Sequence, residues 1–377
     1  MKMKKITALL LALAMSLALA ACGGDSASAG GSTPAPTEPA AQTSESADES
    51  GQTVILDRNG DVYAVVEDAD APTEYPVTLT DQAGREVTIE AKPETLVSGY
   101  YISTSLCIAL GLQDQLVGIE AKADTRPIYA RSAPELLELP SVGTAKEFDL
   151  EGCAALAPDL VILPLKLQDA ADSLAELGIP ALVVNPEDQT LLEEAVALVA
   201  AATDTRARAA QLADFTVKQQ NRLTELLADA ERPNVYLAGN SDFLSTAGGA
   251  MYQSSMIEMA GGRNVAQEIT DTYWATVSYE QILTWNPDYI VLASDADYTV
   301  EDVMTDPNLA GCKAVENGDV LQIPGDAEAW DSPVPGGILG SVWLSGALHP
   351  DLGIDGENMQ IINEFYETFY GFTYQEI

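Results

Sequence analysis

The sequence is poor in histidine and in positive charge. It has one histidine, His349, and 18 lysine and arginine residues against 58 aspartate and glutamate residues. A zinc or manganese site usually takes several histidine ligands, and a Ser-His or Cys-His hydrolase would have to use His349 itself. This residue precedes Pro350 at the end of a predicted helix, where a histidine interacts favourably with the helix dipole. We therefore expect a structural His349 and no metal ion or cofactor held by the chain.

The formal net charge of −40 at pH 7 excludes a nucleic-acid partner, because phosphate binding needs basic patches. The chain also lacks a Gly-x-Ser-x-Gly nucleophile elbow and a glycine-rich phosphate-binding loop with lysine. The acidity is typical of a solvated exterior. These absences argue against an enzyme.

Residues 1–22 have the pattern of an export signal, with a basic start, Met1–Lys5, followed by an apolar run over residues 6–21. This run is shorter than the roughly 20 residues that a membrane-spanning helix needs. It ends in Leu19–Cys22, which resembles the lipobox of bacterial lipoproteins. That resemblance implies that Cys22 is acylated and anchors the mature chain to a membrane. Residues 23–52 lack apolar periodicity and are predicted to form a disordered tether.

Three further cysteines, Cys107, Cys153 and Cys312, lie in apolar surroundings. We expect them to be buried free thiols, with a Cys107–Cys153 disulfide as the alternative. The sequence does not decide between these states.

Two hairpins are predicted before the main fold. Asn59-Gly60, between alternating apolar and polar residues, predicts an extra β-hairpin within residues 53–74. A second hairpin is predicted from Val77–Thr80 and Glu86–Ile89, which flank a turn that contains Gly84.

From Thr95 onward, short apolar strands alternate with helices, which is typical of a mainly parallel sheet covered on both faces. One long helical stretch, from about Thr205 to Ala230, interrupts the alternation. We therefore predict an α/β fold of two Rossmann-like lobes joined by one long α-helix, with a ligand cleft between the lobes. The predicted boundaries are residues 75–203 for the N-terminal lobe, 204–232 for the interlobe helix and 233–377 for the C-terminal lobe.

An internal repeat supports the two-lobed prediction. Residues 149–163 and 278–292 both contain a glutamate near a helix start, a Pro-Asp pair seven residues later, and then a buried strand. The glutamates are Glu151 and Glu280, and a glutamate at a helix N-terminus is favourable with the helix dipole. The duplicated unit predicts two similar lobes on either side of the long helix.

Five motifs in order resemble the solute-binding proteins of ABC importers for iron–siderophores, cobalamin and haem. They are Pro76–Ile89, Ala109–Gly118, Leu150–Ile162, Gly261–Ala266 and Ser278–Leu283. The resemblance implies a monomeric, non-enzymatic protein that binds a small molecule or metal chelate in its cleft. Its partner would be an ABC permease dimer, and its lobes would move little on binding. It needs no cofactor of its own, although the ligand can contain iron or cobalt.

The same resemblance implies the functional residues. In that family a glutamate on each lobe contacts an arginine of each permease subunit, and the matching positions are Glu151 and Glu280. The cleft loops, matched by position, supply ten candidate ligand contacts: Tyr100, Tyr101, Lys146, Phe148, Asn240, Phe243, Tyr273, Trp274, Trp330 and Asp331. Arg126 is a further candidate partner for a carboxylate or oxyanion group.

The identity of the ligand stays open. Siderophore binders often carry several cleft arginines, and their absence here favours an iron chelate, a corrinoid or a haem-type ligand over a strongly anionic one. Residues 330–333, 339–344 and 349–350, however, also look like those of members linked to iron complexes or molybdate, so a molybdate or tungstate oxyanion is the alternative. A different class is a metallocluster-binding enzyme or assembly protein on this scaffold, or a surface adhesin.

Overall fold

The computed structural model describes residues 46–47, 52–56, 62–67, 69, 71–272 and 274–374. The predicted signal peptide with Cys22, and most of the predicted tether, lie outside these residues. Strands β1 (Ser46–Ala47), β2 (Gln52–Leu56) and β3 (Val62–Glu67) form an antiparallel sheet in the order β1-β2-β3. The extra hairpin is therefore present in its strands, although Asn59-Gly60 lies outside the described residues. The tether prediction over 23–52 needs a correction, because β1 and Gln52 pair through main-chain hydrogen bonds that need no apolar pattern.

The second hairpin is confirmed as β4 (Val77–Thr80) and β5 (Glu86–Ile89). The Asp81 carboxylate holds the turn, because its Oδ1 accepts hydrogen bonds from the N–H groups of Ala83 and Arg85 at 3.0 and 2.9 Å. Gly84 adopts φ +78°, a left-handed conformation that favours glycine.

The first lobe is built on a parallel sheet in the strand order β7-β6-β8-β9. Its elements in chain order are β6 (Leu96–Ser98), α1 (Tyr101–Ala109), β7 (Leu116–Gly118), α2 (Pro127–Ser132), α3 (Leu150–Ala155), β8 (Leu160–Pro164), α4 (Gln168–Glu176) and β9 (Ala181–Val184). The residues of β8 and β9 are all buried, as expected for strands covered on both faces.

Two consecutive helices, α5 (Gln189–Thr203) and α6 (Arg206–Leu226), connect the lobes. The predicted interlobe helix over 204–232 is too long, because α6 has 21 residues, or about 31 Å at the usual rise. Asp204 has φ 61° and ends α5, so a new helix begins only after Thr205. At the other end Leu227 leaves the helical conformation before Pro233 is reached. Helix α5 was not predicted.

The second lobe has a six-stranded sheet in the order β13-β11-β10-β14-β15, with β12 beside β10. Its elements are β10 (Asn234–Ala238), β11 (Ser245–Ala247), α7 (Tyr252–Met259), β12 (Arg263–Asn264), β13 (Trp274–Thr276), α8 (Tyr279–Trp285), β14 (Tyr289–Leu292), α9 (Val300–Met304), α10 (Lys313–Asn317), β15 (Val320–Gln322), α11 (Ile338–Leu348) and α12 (Asp355–Phe369). Strands β12 and β14 pair parallel to β10, and β15 pairs parallel to β14. Strand β11 is antiparallel to both of its neighbours, β10 and β13.

Helix α12 packs along α6, so the connection between the lobes is a helix pair. Arg222 of α6 donates to Glu357 at 2.8 Å, and Phe215 lies 5.2 Å from Phe365 between ring centroids. One buried cluster includes Leu106 of the first lobe, these two phenylalanines and Leu344 of the second lobe. The lobes therefore share a hydrophobic core. The predicted α/β fold of two lobes joined by one long helix is confirmed, and α12 packs beside that helix.

The internal repeat extends to the backbone conformation. Ala157 and Asn286 occupy matching positions before the Pro-Asp pairs, and both have positive φ, 48° and 43°. In each lobe the following aspartate then accepts hydrogen bonds from the start of a neighbouring strand. Asp159 Oδ2 bonds the Thr95 N–H at 2.9 Å, and Asp288 Oδ2 bonds the Asn234 N–H at 2.7 Å.

This match predicts a stabilising substitution in the first lobe. A left-handed conformation costs an alanine about 1 kcal/mol and an asparagine less, so we expect Ala157→Asn to raise the free energy of unfolding by up to about 1 kcal/mol. Ala175→Asn, at an exposed position inside α4, is the control and should destabilise through helix propensity. Urea denaturation measures both, and equal losses at the two sites would contradict the prediction.

Candidate functional site

The first lobe presents an aromatic pair where β6 ends. The Tyr100 and Tyr101 rings meet edge to face with centroids 5.1 Å apart, and the Arg126 guanidinium lies 4.2 Å from the centroid of the Tyr101 ring. Burial raises the pKa of both tyrosine hydroxyls, so they remain protonated donors. Ligands of open α/β sheets bind at such carboxyl ends of strands.

Arg126 forms no ion pair with any residue that the structure describes. Its planar guanidinium is stacked on Tyr101, which fixes its orientation without using its N–H donors. A stacked guanidinium with donors to spare suits a carboxylate or oxyanion, which accepts two parallel hydrogen bonds. The arrangement makes Arg126 a stronger candidate than its position in the sequence suggested.

Lys146 and Phe148, the other first-lobe candidates, lie in the turn before α3. Lys146 is exposed, whereas Phe148 is half-buried and its ring lies near Gly99, the residue before Tyr100. The turn is closed by the hydrogen bond from the Thr144 N–H to the Glu147 carbonyl, at 3.1 Å. Phe148 therefore supports the backbone beneath the tyrosine pair.

In the second lobe, Trp274 lies on β13 and is 38% exposed, a large value for tryptophan. Its ring packs over Gly239 at the end of β10, where an added Cβ would lie 2.9 Å from Cζ3. Any larger residue at Gly239 would displace the indole. Asn240, which follows, is exposed at the same strand end. Tyr273 lies outside the described residues.

Three second-lobe candidates lie deeper than the sequence suggested. Phe243 is half-buried against Tyr236, with ring centroids 5.6 Å apart. Trp330 is only 1% exposed, and its Nε1 donates to Tyr366 Oη at 2.7 Å. Asp331 is also buried, and its Oδ1 accepts from Ser294 Oγ at 2.6 Å. Trp330 and Asp331 lie in the loop after β15, as predicted, but their contacts with Tyr366 and Ser294 leave both side chains buried.

Tyr101 lies near groups of both lobes. Burial is the main cause of its raised pKa; the Ser332 hydroxyl and the Arg126 charge lower the pKa, and the charges of Asp331 and Asp295 raise it. Tyr101 therefore faces the loops that follow β14 and β15 of the second lobe. Asp295 was not among the residues predicted from the sequence, because nothing in the sequence distinguishes it from the many other acidic residues of this chain.

Two buried glutamates also went unrecognised. Glu120 accepts hydrogen bonds from Thr104 Oγ1 and Tyr129 Oη, both at 2.6 Å. Glu328 accepts from Ser105 Oγ of α1, so this hydrogen bond crosses between the lobes. Burial raises the pKa of both carboxyls, that of Glu328 to about 7, and the Arg126 charge partly opposes the rise. Glu120 directly follows the apolar strand run 115–119, and this position could have identified it.

Glu151 and Glu280 occupy corresponding places on the two lobes. Each lies in the first turn of a short helix, α3 or α8, and each is exposed. The N-cap residues match as well, because Asp149 Oδ1 accepts from the Gly152 N–H at 2.9 Å and Ser278 Oγ from the Gln281 N–H at 3.2 Å. The two helices therefore present equivalent exposed carboxylates.

A depression of about 810 Å³ lies at the other edge of the second sheet, beside Asp288 and Tyr289 where β14 begins. His349, which caps the end of α11 as predicted, lines it but is buried. Its Nε2 lies against Gly261 without a hydrogen-bond partner in the described chain. This depression is distant in the fold from the strand ends that carry Trp274.

The remaining side-chain predictions concern metals and thiols. Within the described residues, no group of three or more histidine, cysteine, aspartate or glutamate side chains could hold a metal ion. Cys107, Cys153 and Cys312 are buried free thiols, which confirms the expectation for them. In the same part of the chain, every helix is too short or too polar to span a bilayer.

Comparison with known proteins agrees with this geometry. The periplasmic binding protein family profile matches residues 96–327, which include the Trp274 strand, the Tyr100–Tyr101 pair and both repeat units. This chain belongs to the periplasmic binding protein family. The binding protein is thus a solute-binding component of ABC transport and not an enzyme.

Individual relatives differ in what their names say they bind. The binding protein is 28% identical over 324 residues to the molybdate-binding protein MolA of Haemophilus influenzae, covering 79% of this chain and 92% of MolA. It is 29% identical over 219 residues to the vitamin B12-binding protein of Yersinia pestis, covering 58% and 72% of the two chains. A periplasmic solute binding protein from Veillonella parvula superposes with a TM-score of 0.70 at 26% identity, covering 80% and 94%.

Proposed function

We propose that this binding protein is a lipoprotein anchored through Cys22 to the outer face of the cytoplasmic membrane. It captures its ligand in the cleft between the lobes and delivers that ligand to an ABC permease, which Glu151 and Glu280 contact. The chain works as a monomer held at the membrane by its N-terminal segment. Support comes from the lipobox-like Leu19–Cys22 and from the equivalent exposed glutamates on α3 and α8.

We propose that the ligand is an iron chelate, a corrinoid or a haem-type molecule. The observation that carries this proposal is the exposed indole of Trp274, since a large flat ligand gains affinity from stacking on an aromatic side chain. Such a ligand would span from Trp274 to the tyrosine pair of the first lobe and place an acceptor group on Arg126. The vitamin B12-binding relative supports this class.

A molybdate-type oxyanion is the second candidate. The Arg126 guanidinium, stacked on Tyr101 and without an ion pair in the described chain, could bind a tetrahedral anion by itself. The similarity to MolA over most of both chains favours this candidate. A small oxyanion would not stack on the Trp274 indole, so substitution of Trp274 distinguishes the two candidates.

A thermal-shift screen with cobalamin, haem, ferric chelates and molybdate tests the ligand class. A true ligand at 100 times its dissociation constant should stabilise the protein by about 2.7 kcal/mol. We expect Trp274→Ala to weaken a corrinoid, haem or chelate by about tenfold or more and to leave molybdate unchanged.

Substitution of Arg126 tests the first-lobe half of the proposed site with either ligand class. Arg126→Ala should weaken either ligand class, by about tenfold or more, because a charge-assisted bidentate contact is lost. Lys122→Ala, an exposed cation on the preceding turn, is the matched control and should leave affinity unchanged. A ligand whose affinity survives both Arg126→Ala and Trp274→Ala would refute the proposed site.

A further inference from the structure

The last described residues, Phe369–Tyr374, which we call the C-terminal segment, contact the first lobe as well as the second. The segment begins at the end of α12, and Gly371 with φ +75° lets the chain turn away from the helix axis. Tyr370 and Tyr374 are 4% and 2% exposed, so the segment is enclosed rather than loose.

The first contact is a buried hydrogen-bond chain. Ser105 Oγ of α1 lies 2.8 Å from Tyr370 Oη and also bonds Glu328 Oε1. Ser105 belongs to the first lobe, Glu328 to the loop after β15, and Tyr370 to the C-terminal segment. All three side chains are buried, so water does not compete for these hydrogen bonds.

The second contact clasps Arg131, which lies on α2 of the first lobe. Its guanidinium is 4.6 Å from the Phe372 ring centroid and 5.5 Å from that of Tyr374. Its Nη1 also lies 3.3 Å from Asp326 Oδ2, and Asp326 Oδ1 accepts from Tyr374 Oη at 2.6 Å. Arg131 is therefore bound on one side by the aromatic rings and on another by a second-lobe carboxylate.

The third contact joins both helix ends to α6. Arg208 Nε donates to the carbonyl of Ala109, the last residue of α1, at 2.9 Å, and Nη2 donates to the carbonyl of Thr368. Its guanidinium also lies 4.7 Å from the Phe369 ring centroid. One arginine of α6 thus ties the end of α1 to the end of α12.

From these contacts we infer that the C-terminal segment is an interlobe latch, which holds the first lobe at a fixed angle to the second and whose release lets the cleft open. Helix α6 is joined to each lobe by a short loop, so the stiffness of the helix does not by itself fix the lobe angle. Arg131 and Ser105 lie on different first-lobe helices, and two separate attachment points resist rotation as well as separation.

Distance measurements between the lobes test the latch. Spin labels on Glu147→Cys and Ser241→Cys, exposed positions of the first and second lobes, report the interlobe distance in the full chain carrying Cys22→Ser. The other cysteines are buried and take no label. We expect a single narrow distance distribution in this parent, and a longer, broader one in Arg131→Ala and in Phe372→Ala. The loss of the cation–π contact should raise the open fraction about fivefold.

The controls separate the latch from general destabilisation. Lys218→Ala also removes a cation, but its ion pair with Glu364 joins α6 to α12 without touching the first lobe, so it should keep the parent distribution. Arg131→Lys retains the charge and the fold and should give an intermediate distribution. Parent-like distances in both Arg131→Ala and Phe372→Ala would overturn the inference. The measurement is made without ligand, so its outcome is independent of the proposed ligand and of the permease.

Discussion

Replacing Glu151 and Glu280 together by alanine should reduce ligand uptake by whole cells at least about tenfold, while the dissociation constant of the ligand stays unchanged. Charge pairs at a docking surface set orientation and encounter rate. Truncating both glutamates removes the two contacts that would align the binding protein with the permease. Both carboxylates are exposed on the first turns of α3 and α8, and neither glutamate is one of the proposed ligand contacts. We therefore expect the change to act on docking and not on the cleft.

A matched control is available in the same chain. Glu135 and Glu301 are exposed glutamates of the first and second lobes. The double variant Glu135→Ala with Glu301→Ala therefore also removes one negative charge from each lobe. This control should transport normally. Each single replacement, Glu151→Ala or Glu280→Ala, should give a partial loss, because one contact remains.

Uptake is compared with radiolabelled or metal-quantified ligand in cells that depend on this protein, at matched protein levels. Each substitution also removes a favourable interaction with the dipole of its short helix, and thermal denaturation monitors that effect. Uptake by the double variant equal to that of the Glu135/Glu301 control would remove the docking role from the proposed function.

Much of the architecture could be predicted because it follows from local patterns. The apolar runs that became β8 and β9 are short and continuous, and they alternate with helical segments, which is the pattern of strands covered on both faces. The repeat around Glu151 and Glu280 carried the two-lobed arrangement, and it also predicted the matching short helices. These features depend on residues that are close in sequence.

The parts that could not be predicted depend on contacts between distant residues. Nothing in the local sequence shows that α12 packs against α6, since that pairing joins Arg222 to Glu357 across more than a hundred residues. Trp330 was assigned to the cleft because it follows a strand, yet Tyr366 draws its indole into the core. From the sequence, Arg126 and Lys146 were equally good candidates for binding an anionic group of the ligand. The stacking of Arg126 on Tyr101 distinguishes the two.

The free energy of unfolding should fall with rising pH between about pH 4.5 and pH 7, and Glu328→Gln should remove about 3 kcal/mol of that fall. Burial raises the pKa of Glu328 from 4.5 to about 7. The folded state thus binds a proton that the unfolded state has released in this window. The contribution of Glu328 to stability is therefore fully present below the unfolded pKa and is lost as the pH rises through the folded pKa.

The structural cause is an incompletely satisfied carboxyl. Oε1 accepts from Ser105 Oγ, but Oε2 is buried without a hydrogen-bond partner in the described chain, although the nearby Gly336 N–H lowers the pKa somewhat. Arg126 is the cation that favours ionisation. Tyr252, Tyr366 and Tyr370 are neutral neighbours, because burial and the Glu328 charge raise their pKa values. An ionised Glu328 would therefore leave one charged oxygen unpaired in the core.

Urea denaturation from pH 4 to pH 9 measures the effect as the difference in unfolding free energy between Glu328→Gln and the parent. Glu120 and Asp331 also have raised pKa values caused mainly by burial, but they are present in both proteins and cancel in the difference. Glu138→Gln, at an exposed position, should give a difference that does not change with pH. Parallel curves for the Glu328 variant and the parent would mean that this carboxyl is ionised throughout. Because Ser105 belongs to α1, a confirmed pH dependence would place the titrating group at the junction of the two lobes.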